Sequence, residues 1–459
     1  MYKKSDKAEL TVRDKMQLIL DIGQLMMENG ASSKRVVRDM LRAAAYLGIY
    51  WENVQIHITY STIMINVDDG VTSETMFRKC YKHGVNMMTT LLANQLSWDA
   101  LTSNESYLIY RNQMMTIQQM ARKRLYPQWL TLFCIGMASS AFCLLFGGHW
   151  YEALYTFIAT FIAAVVGAYV KTLCERFGVN IYIGIAASAF FATATAYLTL
   201  YIPGPPCSWL PVVACALTLI PGVPLINCVD DFLSNYLNSG MTRFTQTILV
   251  MTAMTFGLSA IAVMTSVPNF TGVRIAPESL YIAQALAAAM AAAGFCVMFN
   301  IPKRYIPLAC LGAIITVDMR NILMVDFGTG MATASFIGAA TLSLFLLIVA
   351  RNLHAPVFVL TTPAIIPLIP GVLLYRFLFA VIRIHTLTTD EFMFAMQNGV
   401  EAALVILGIA LGATLPDVIA HQFIDRSKRE RLRKILEERD GQEAVIEDAA
   451  NLDRASERR

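Results

Sequence analysis

The pattern of hydrophobic and polar positions divides the chain into a mixed N-terminal region, a long apolar region and a charged tail. Between residues 10 and 124, apolar positions recur at helical spacing or alternate with polar ones. Ten apolar segments follow, each near the ~20 residues that a helix needs to cross the hydrocarbon of a bilayer. After residue 421, more than half of the residues are charged. The pattern therefore predicts a membrane protein that carries a soluble N-terminal domain.

The N-terminal pattern predicts a small α+β domain over residues 1–126. Gly30 ends the first helix, and Ser32 or Ser33 caps the second. Two alternating apolar runs predict strands, followed by a turn at 68–70. The predicted order is helix, helix, strand, strand, helix, helix, over 10–29, 32–47, 54–58, 63–67, 85–97 and 105–124.

The ten apolar segments form two related sets of five. The starts of the last five lie 148 to 156 residues beyond those of the first five. Because five is odd, the sets must cross in opposite directions, which predicts an inverted repeat. We therefore expect a mostly α membrane protein with ten transmembrane helices, as a first repeat over 127–275, a second over 276–421 and a tail over 422–459. The predicted spans are 128–146, 150–170, 179–201, 208–227, 244–266, 280–300, 306–322, 330–350, 356–381 and 396–416.

A short motif supports this repeat. Leu219-Ile220-Pro221-Gly222-Val223 recurs 149 residues later as Leu368-Ile369-Pro370-Gly371-Val372. A proline inside a membrane helix removes a backbone donor and breaks the helix. Paired Pro/Gly breaks at matching places in two halves are typical of the binding site of a secondary transporter.

Positive charge sets the predicted orientation. Arg122, Lys123 and Arg124 precede the first apolar segment, and six Lys or Arg residues between 426 and 434 follow the last. Basic flanks stay in the cytoplasm, and ten crossings place both ends on one side. We therefore expect a multi-pass protein of the cell inner membrane with both termini in the cytoplasm.

Composition excludes several classes of function. Of the 459 residues, 56% are hydrophobic and 15% are charged, whereas a soluble protein carries about 25% charged residues. The nine cysteines are scattered without a CxxC motif, so neither a metal site nor a disulfide framework is indicated. The chain has no nucleotide-binding, metalloprotease or serine-hydrolase motif. We expect no cofactor, no ATP-driven transport and no nucleic-acid partner.

Residues that could bind a substrate lie near the two breaks. A helix that restarts at Pro221-Gly222 or Pro370-Gly371 presents N–H groups and the positive end of its dipole, which suits a carboxylate. Asn227 and Asp231 follow the first break within ten residues. A carboxylate at the end of a membrane helix is a functional candidate, although an ordinary solvated group at the interface is the alternative.

Four further residues are candidates for substrate binding or coupling. Lys171 and Arg243 are the cations available on the cytoplasmic side, although Lys171 also fits a side chain that only snorkels. Asn398 and Glu401 lie near the start of the last segment. Asp318 and Arg320 are interpreted as a structural ion pair.

Several stretches together resemble the threonine/serine exporter family of secondary transporters. They are Asn29 to Ser33 with Arg35 and Val36, Cys174 to Asn180, Leu219 to Asp231 with Gly240 and Arg243, and Pro363 to Gly371. The resemblance implies a cytoplasmic domain joined to ten membrane helices in two halves. In some bacteria the halves are separate proteins, proposed to export a small dicarboxylate. Family members often carry a basic residue where this chain has Asp230.

We therefore expect a secondary exporter of threonine or serine, driven by the proton gradient, and not an enzyme. Its partners would be a small amino acid or organic acid, protons and the lipid bilayer, with a homo-oligomer left open. The alternatives are export of a dicarboxylate such as succinate, a membrane-anchored hydrolase with residues 1–126 as its catalytic domain, and a passive channel. The N-terminal domain is expected to regulate or gate transport, with the turn at 29–35 touching 171–176 or 231–243.

Overall fold

The computed structural model describes residues 10–68, 72–103, 106–145, 150–199, 210–264, 281–353, 356–416 and 419. The chain divides into two compact units at Ala413. The first unit contains both the N-terminal region and the apolar helices. The predicted charged tail over 422–459 lies outside the described residues.

The described part of the N-terminal region contains four α-helices and one antiparallel sheet. Thr11 caps the first helix through a capping box with Asp14. Gly30, at φ +92°, follows that helix in the left-handed conformation that favours glycine. The sheet has the order β1-β2-β3. The elements are α1 (Val12–Glu28), α2 (Ser33–Tyr46), β1 (Val54–Ile58), β2 (Thr62–Asp68), β3 (Ser73–Lys79), α3 (Met87–Ser103) and α4 (Tyr107–Ala121).

The core of this region lies between α1, α2 and one face of the sheet. Met16, Ile22 and Met26 of α1 are fully buried in one cluster with Met40 of α2 and Ile63 of β2. The predicted two strands and four helices are present. The third strand was missed because its seven residues, Ser73 to Lys79, are mostly exposed and show no apolar alternation.

Among the described residues, the apolar region consists of long helices and two broken segments. The helices of the first half are α5 (Gln128–Leu145), α6 (Trp150–Arg176), α7 (Ile181–Thr199), α8 (Leu210–Ala214), α9 (Gly222–Leu233) and α10 (Leu237–Met264). Those of the second half are α11 (Tyr281–Met298), α12 (Ile306–Val325), α13 (Met331–Leu353), α14 (Val357–Ile365), α15 (Gly371–Ile382) and α16 (Thr389–Pro416).

Eight described helices are long and apolar enough to cross a membrane, and a ninth crossing results if α14 and α15 form one span. These two helices meet at a bend of 58°. The fourth predicted segment, 208–227, is only partly described, so ten crossings stay a prediction. Two helices begin earlier than predicted, at Leu237 and Thr389. Thr388 and Glu391 cap α16 through reciprocal hydrogen bonds that the apolar pattern does not reveal.

The two predicted breaks have the same backbone conformation. Pro221 lies at φ −77° and ψ 68°, and Pro370 at φ −80° and ψ 60°. In each break the glycine N–H donates to the carbonyl two residues earlier, at 2.8 Å. This is an inverse γ-turn, which the fixed φ of proline favours. The motif repeated in the sequence is therefore also repeated in the structure.

A close helix contact also recurs at matching places. A Cβ atom at Gly257 would lie 2.2 Å from the carbonyl oxygen of Ala186, and one at Gly412 would lie 2.3 Å from that of Phe336. Small residues allow helices to approach this closely in membranes. Both contacts join the third and the last long helix of their half. The inverted relation between the halves stays a prediction.

Candidate functional site

A buried ion pair lies where the first broken helix meets α10. Nε of Arg243 is 2.9 Å from Oδ2 of Asp231, and the side chains are 2% and 0% exposed. The Nε–H is not aligned with that oxygen, so charge rather than a straight hydrogen bond holds the pair. A buried pair is stable only when further hydrogen bonds satisfy its remaining polar atoms.

The N-terminal region supplies those hydrogen bonds. The Ser33 N–H donates to Oδ1 of Asp231 at 2.8 Å, and Nη2 of Arg243 donates to the Ala31 carbonyl at 2.7 Å. Asn227 donates to the Gly30 carbonyl at 2.9 Å. The predicted contact of the turn at 29–35 with residues 231–243 is present. We call these interactions the N-terminal contact.

The first turn of α2 also approaches both halves of the membrane region. A guanidinium nitrogen of Arg35 is 3.8 Å from Asp230. The same guanidinium lies 4.4 Å above the ring of Phe358, which belongs to α14 in the second half. Arg35 therefore supplies the positive charge opposite Asp230. The two residues lie far apart in the sequence, so no local pattern pairs them.

Electrostatics at the N-terminal contact are set by burial. Burial raises the pKa of the Asp231 carboxyl, while Arg243 and the Ser33 N–H act in the opposite direction. On the other side of Arg243, its guanidinium lies 4.5 Å above the ring of Tyr60. His83 stacks on the same Tyr60 ring at 3.9 Å. Burial, and then Arg243, lower the pKa of His83.

The glycines of the two breaks pack against the opposite break. A Cβ atom at Gly222 would lie 2.7 Å from Cδ1 of Ile369, and one at Gly371 would lie 2.4 Å from Cδ1 of Ile220. The N–H groups of both glycines are used within the γ-turns. The prolines and glycines thus shape a crossing between the two broken segments.

A cavity of ≈ 250 Å³ lies beside the first break. Val85 of the N-terminal region contributes to its wall, so the cavity is on the face of the membrane region against which that region packs. Lys171 and Glu175, one turn apart on α6, both line it. The charged and hydroxyl-bearing residues of its wall are Arg124, Thr131, Lys171, Thr172, Glu175, Ser188 and Thr218.

The structure thus separates the predicted site residues. Lys171 lines the cavity, whereas Asn227, Asp231 and Arg243 form the N-terminal contact. Glu401 is exposed on α16, and Asn398 donates to the Phe394 carbonyl of its own helix at 2.6 Å. Neither lies among the described cavity residues.

Glu175 was missed although it stands four residues after Lys171, a spacing that places both on one helix face. The hydroxyl groups of the cavity come from three different helices and the break region. Only the packing of the helices brings them together.

The predicted ion pair between Asp318 and Arg320 is wrong. Residues two apart in a helix point to different faces. Nε of Arg320 instead donates to Oδ1 of Asn321 at 3.2 Å. No described carboxylate lies within ion-pair distance of Arg320.

Two family models match the chain. The model described as "Putative threonine/serine exporter" covers residues 17–266, and the model described as "Threonine/Serine exporter, ThrE" covers residues 284–419. The chain belongs to the threonine/serine exporter family. This is a family of transporters, so the hydrolase alternative finds no support.

Curated relatives match from about half to most of the chain. A Klebsiella aerogenes protein named "Probable succinate transporter subunit YjjP" is 27% identical over 257 residues, which is 55% of this chain and 94% of that protein. The "Threonine/serine exporter" of Corynebacterium glutamicum is 21% identical over 418 residues, or 89% of this chain and 83% of that protein. No solved structure matches the chain. The exporter family and the apolar helices identify a multi-pass membrane protein.

Proposed function

We propose that the chain is a secondary exporter of small amino acids, threonine or serine, and that its substrate binds in the cavity beside the first break. The observation that carries the proposal is the pair of opposite charges on that wall. Lys171 suits a carboxylate, and Glu175 suits an ammonium group. An α-amino acid carries both groups on the same carbon atom.

The rest of the wall also suits this substrate class. The hydroxyls of Thr131, Thr172 and Ser188 each donate to a backbone carbonyl, so their oxygens can still accept a hydrogen bond from a substrate hydroxyl. A site that pairs with a substrate hydroxyl rejects an analogue that lacks it. These hydroxyls therefore favour serine and threonine over alanine.

A dicarboxylate such as succinate is the second candidate substrate. A relative named "Probable succinate transporter subunit YjjP" matches 55% of the chain. Two carboxylates need two cations, and Arg124 stands with Lys171 in the wall. Arg243, the other cation considered from the sequence, is held by Asp231 and Ala31.

We place proton coupling at Asp231. Protonation of this carboxyl would remove the charge opposite Arg243 and weaken its bond with Ser33, so proton binding would loosen the N-terminal contact. In this proposal the N-terminal region gates the adjacent cavity. Both termini face the cytoplasm, in the inner membrane, and the two halves are inverted repeats.

The test is counterflow of labelled serine, threonine, alanine and succinate in proteoliposomes. We expect Glu175→Gln to raise the KM for serine about tenfold, the loss of about 1.4 kcal/mol of binding, and to leave succinate transport unchanged or improved. Lys171→Gln should impair both substrates. Lys303→Gln, which changes a lysine outside the cavity wall, serves as the control. Equal effects of Glu175→Gln on both substrates would contradict the amino-acid proposal, and unaltered transport in both variants would remove the cavity from the pathway.

A further inference from the structure

The two breaks are 149 residues apart, and the same shift relates residues of the cavity wall to a polar cluster in the second half. Gly167, Lys171 and Thr172 of α6 correspond to Thr316, Arg320 and Asn321 of α12, and Cys215 corresponds to Ala364. All four positions of the first half line the cavity. A similar offset of 152 carries Leu132 of the cavity wall onto Gln284.

Helix packing supports this correspondence independently of the sequence motif. A Cβ atom at Gly167 would lie 2.9 Å from the Ser188 carbonyl oxygen, and one at Gly338 would lie 2.7 Å from the Thr316 carbonyl oxygen. Ser188 and Gly338 are 150 residues apart. The second and third long helices of each half therefore meet at equivalent residues.

In the second half, the corresponding positions carry polar side chains that bond to one another. Arg320 donates to Asn321, and Asn321 donates to Gln284 of α11. Thr316 donates to the Ala364 carbonyl at 3.2 Å, just before the second break. Gln284, Thr316 and Asn321 are at most 2% exposed.

Polar and charged side chains are costly within a membrane helix, so such a cluster marks a candidate functional site. Arg320 in particular has no described carboxylate within ion-pair distance. An ionised side chain in this position calls for an anionic partner.

We propose that Gln284, Thr316, Arg320 and Asn321 line a second cavity, closed in this structure, which opens to the opposite membrane face and binds the substrate carboxylate through Arg320. The proposal rests on the transport function proposed above and deepens it. Lys171 holds the carboxylate when the protein is open on the side of the N-terminal region. Arg320 holds it when the protein is open on the other side, and the Arg320–Asn321–Gln284 bonds close the site between these states.

Thiol accessibility tests the second cavity without any assumption about the substrate. Thr172→Cys, Asn321→Cys and the control Leu311→Cys, at an exposed apolar position of the same helix α12, are made in a cysteine-free chain in oriented vesicles. A charged, membrane-impermeant maleimide should label Thr172→Cys from the side of the N-terminal region and Asn321→Cys only from the opposite side. It should leave Leu311→Cys unlabelled. Labelling of Asn321→Cys from the same side as Thr172→Cys, or of Thr172→Cys alone, overturns the second cavity.

Sided transport tests the role of Arg320. With serine or succinate added on one face at a time, we expect Arg320→Gln to raise the KM on the face opposite the N-terminal region about tenfold. The KM on the other face should change less than about twofold. Arg320→Lys should restore much of the loss, and Arg304→Gln, just before α12, should have no effect.

An equal change on both faces, or none, overturns the assignment of Arg320. Absence of flux for every substrate tested contradicts the proposed function instead, and the thiol labelling then still decides whether the second cavity exists. If Arg320→Gln does not fold, the thiol labelling still decides whether the second cavity exists.

Discussion

The guanidinium of Arg243 lies 2.9 Å from the carboxylate of Asp231, and both side chains are almost completely removed from solvent. The two residues come from different helices, α9 and α10. Asp231 accepts a hydrogen bond from the Ser33 N–H at the start of α2, and Arg243 donates to the Ala31 carbonyl and to Sδ of Met27 on α1. The pair therefore joins the first broken helix, the following helix and the N-terminal region at one point.

Replacing one member of this buried ion pair should lower the free energy of unfolding considerably. Asp231→Asn leaves the Arg243 charge buried and unpaired, so we expect a loss of about 3 kcal/mol in the free energy of unfolding. The double variant Asp231→Asn/Arg243→Met should lose less than the two single variants together. Thermal unfolding in detergent measures both. Asp21→Asn, which breaks a partly exposed pair with Arg78, is the control and should cost less than about 1 kcal/mol. Equal losses for Asp21→Asn and Asp231→Asn would contradict this account of the buried pair.

The hydrogen bond from the Ser33 N–H can be removed by itself. Ser33 is the first residue of α2, where proline is tolerated. Ser32 lies at φ −73° and ψ 156°, a conformation that a residue before proline prefers. Ser33→Pro should therefore destabilise the N-terminal contact by about 1.5–3 kcal/mol through the lost bond to Asp231.

Ser33→Ala is the matched control, because it keeps the N–H and loses the hydroxyl group, which bonds to Ser239. Hydrogen exchange of residues 29–36 should rise more in Ser33→Pro than in Ser33→Ala. Equal exchange in the two variants would show that the backbone bond contributes little.

The crossing of the breaks predicts a specific rescue. Gly222→Ala places a methyl group 2.7 Å from Cδ1 of Ile369, an overpacking that typically costs about 1–3 kcal/mol. Ile369→Val deletes that atom and should restore stability and transport in the double variant. Gly330→Ala, with open space around it, should be harmless. If Ile369→Val gives no rescue, the glycine serves something other than this contact.

The stability of the folded protein should fall in acid because of His83. Burial and Arg243 hold the pKa of His83 below its ordinary value of about 6.5 in the folded protein, and Glu28 opposes them. The unfolded chain therefore binds the extra proton more readily, and stability falls as pH drops below about 6.5. Thermal unfolding between pH 7.5 and 5 should show a steeper loss in the native protein than in His83→Gln. Parallel curves would exclude His83 as the cause.

Thiol labelling can report the topology only with a suitable cysteine. Cys80 is buried, and burial raises the pKa of its thiol to about 12, so it should stay unlabelled on either side of the membrane. Tyr81 is 75% exposed, and Tyr81→Cys should react with an impermeant reagent in opened vesicles but not in intact cells. Labelling in intact cells would place the N-terminal region outside. Cys207, the other natural cysteine suited to this test, lies outside the described residues.

The sequence predicts the features that depend on local chain chemistry. Proline fixes its own φ, so the breaks at Pro221 and Pro370 follow from the residues there. Gly30 predicts the tight turn because glycine adopts a positive φ without steric cost. The cavity could not be predicted, because Ser188 and Thr218 meet Lys171 only through the packing of α6, α7 and the break. The ion pair predicted between Asp318 and Arg320 is absent because residues that are close in sequence do not necessarily lie on the same face of a helix.

The crossing of Ile220 with Gly371 and of Ile369 with Gly222 has a mechanical consequence. Each isoleucine occupies the space that the missing Cβ of the opposite glycine leaves free, so neither segment can slide past the other without a steric clash. The inverse γ-turns also stiffen both segments from within. The crossing of the two broken segments is therefore rigid, and any change of access during transport has to come from the helices that surround it.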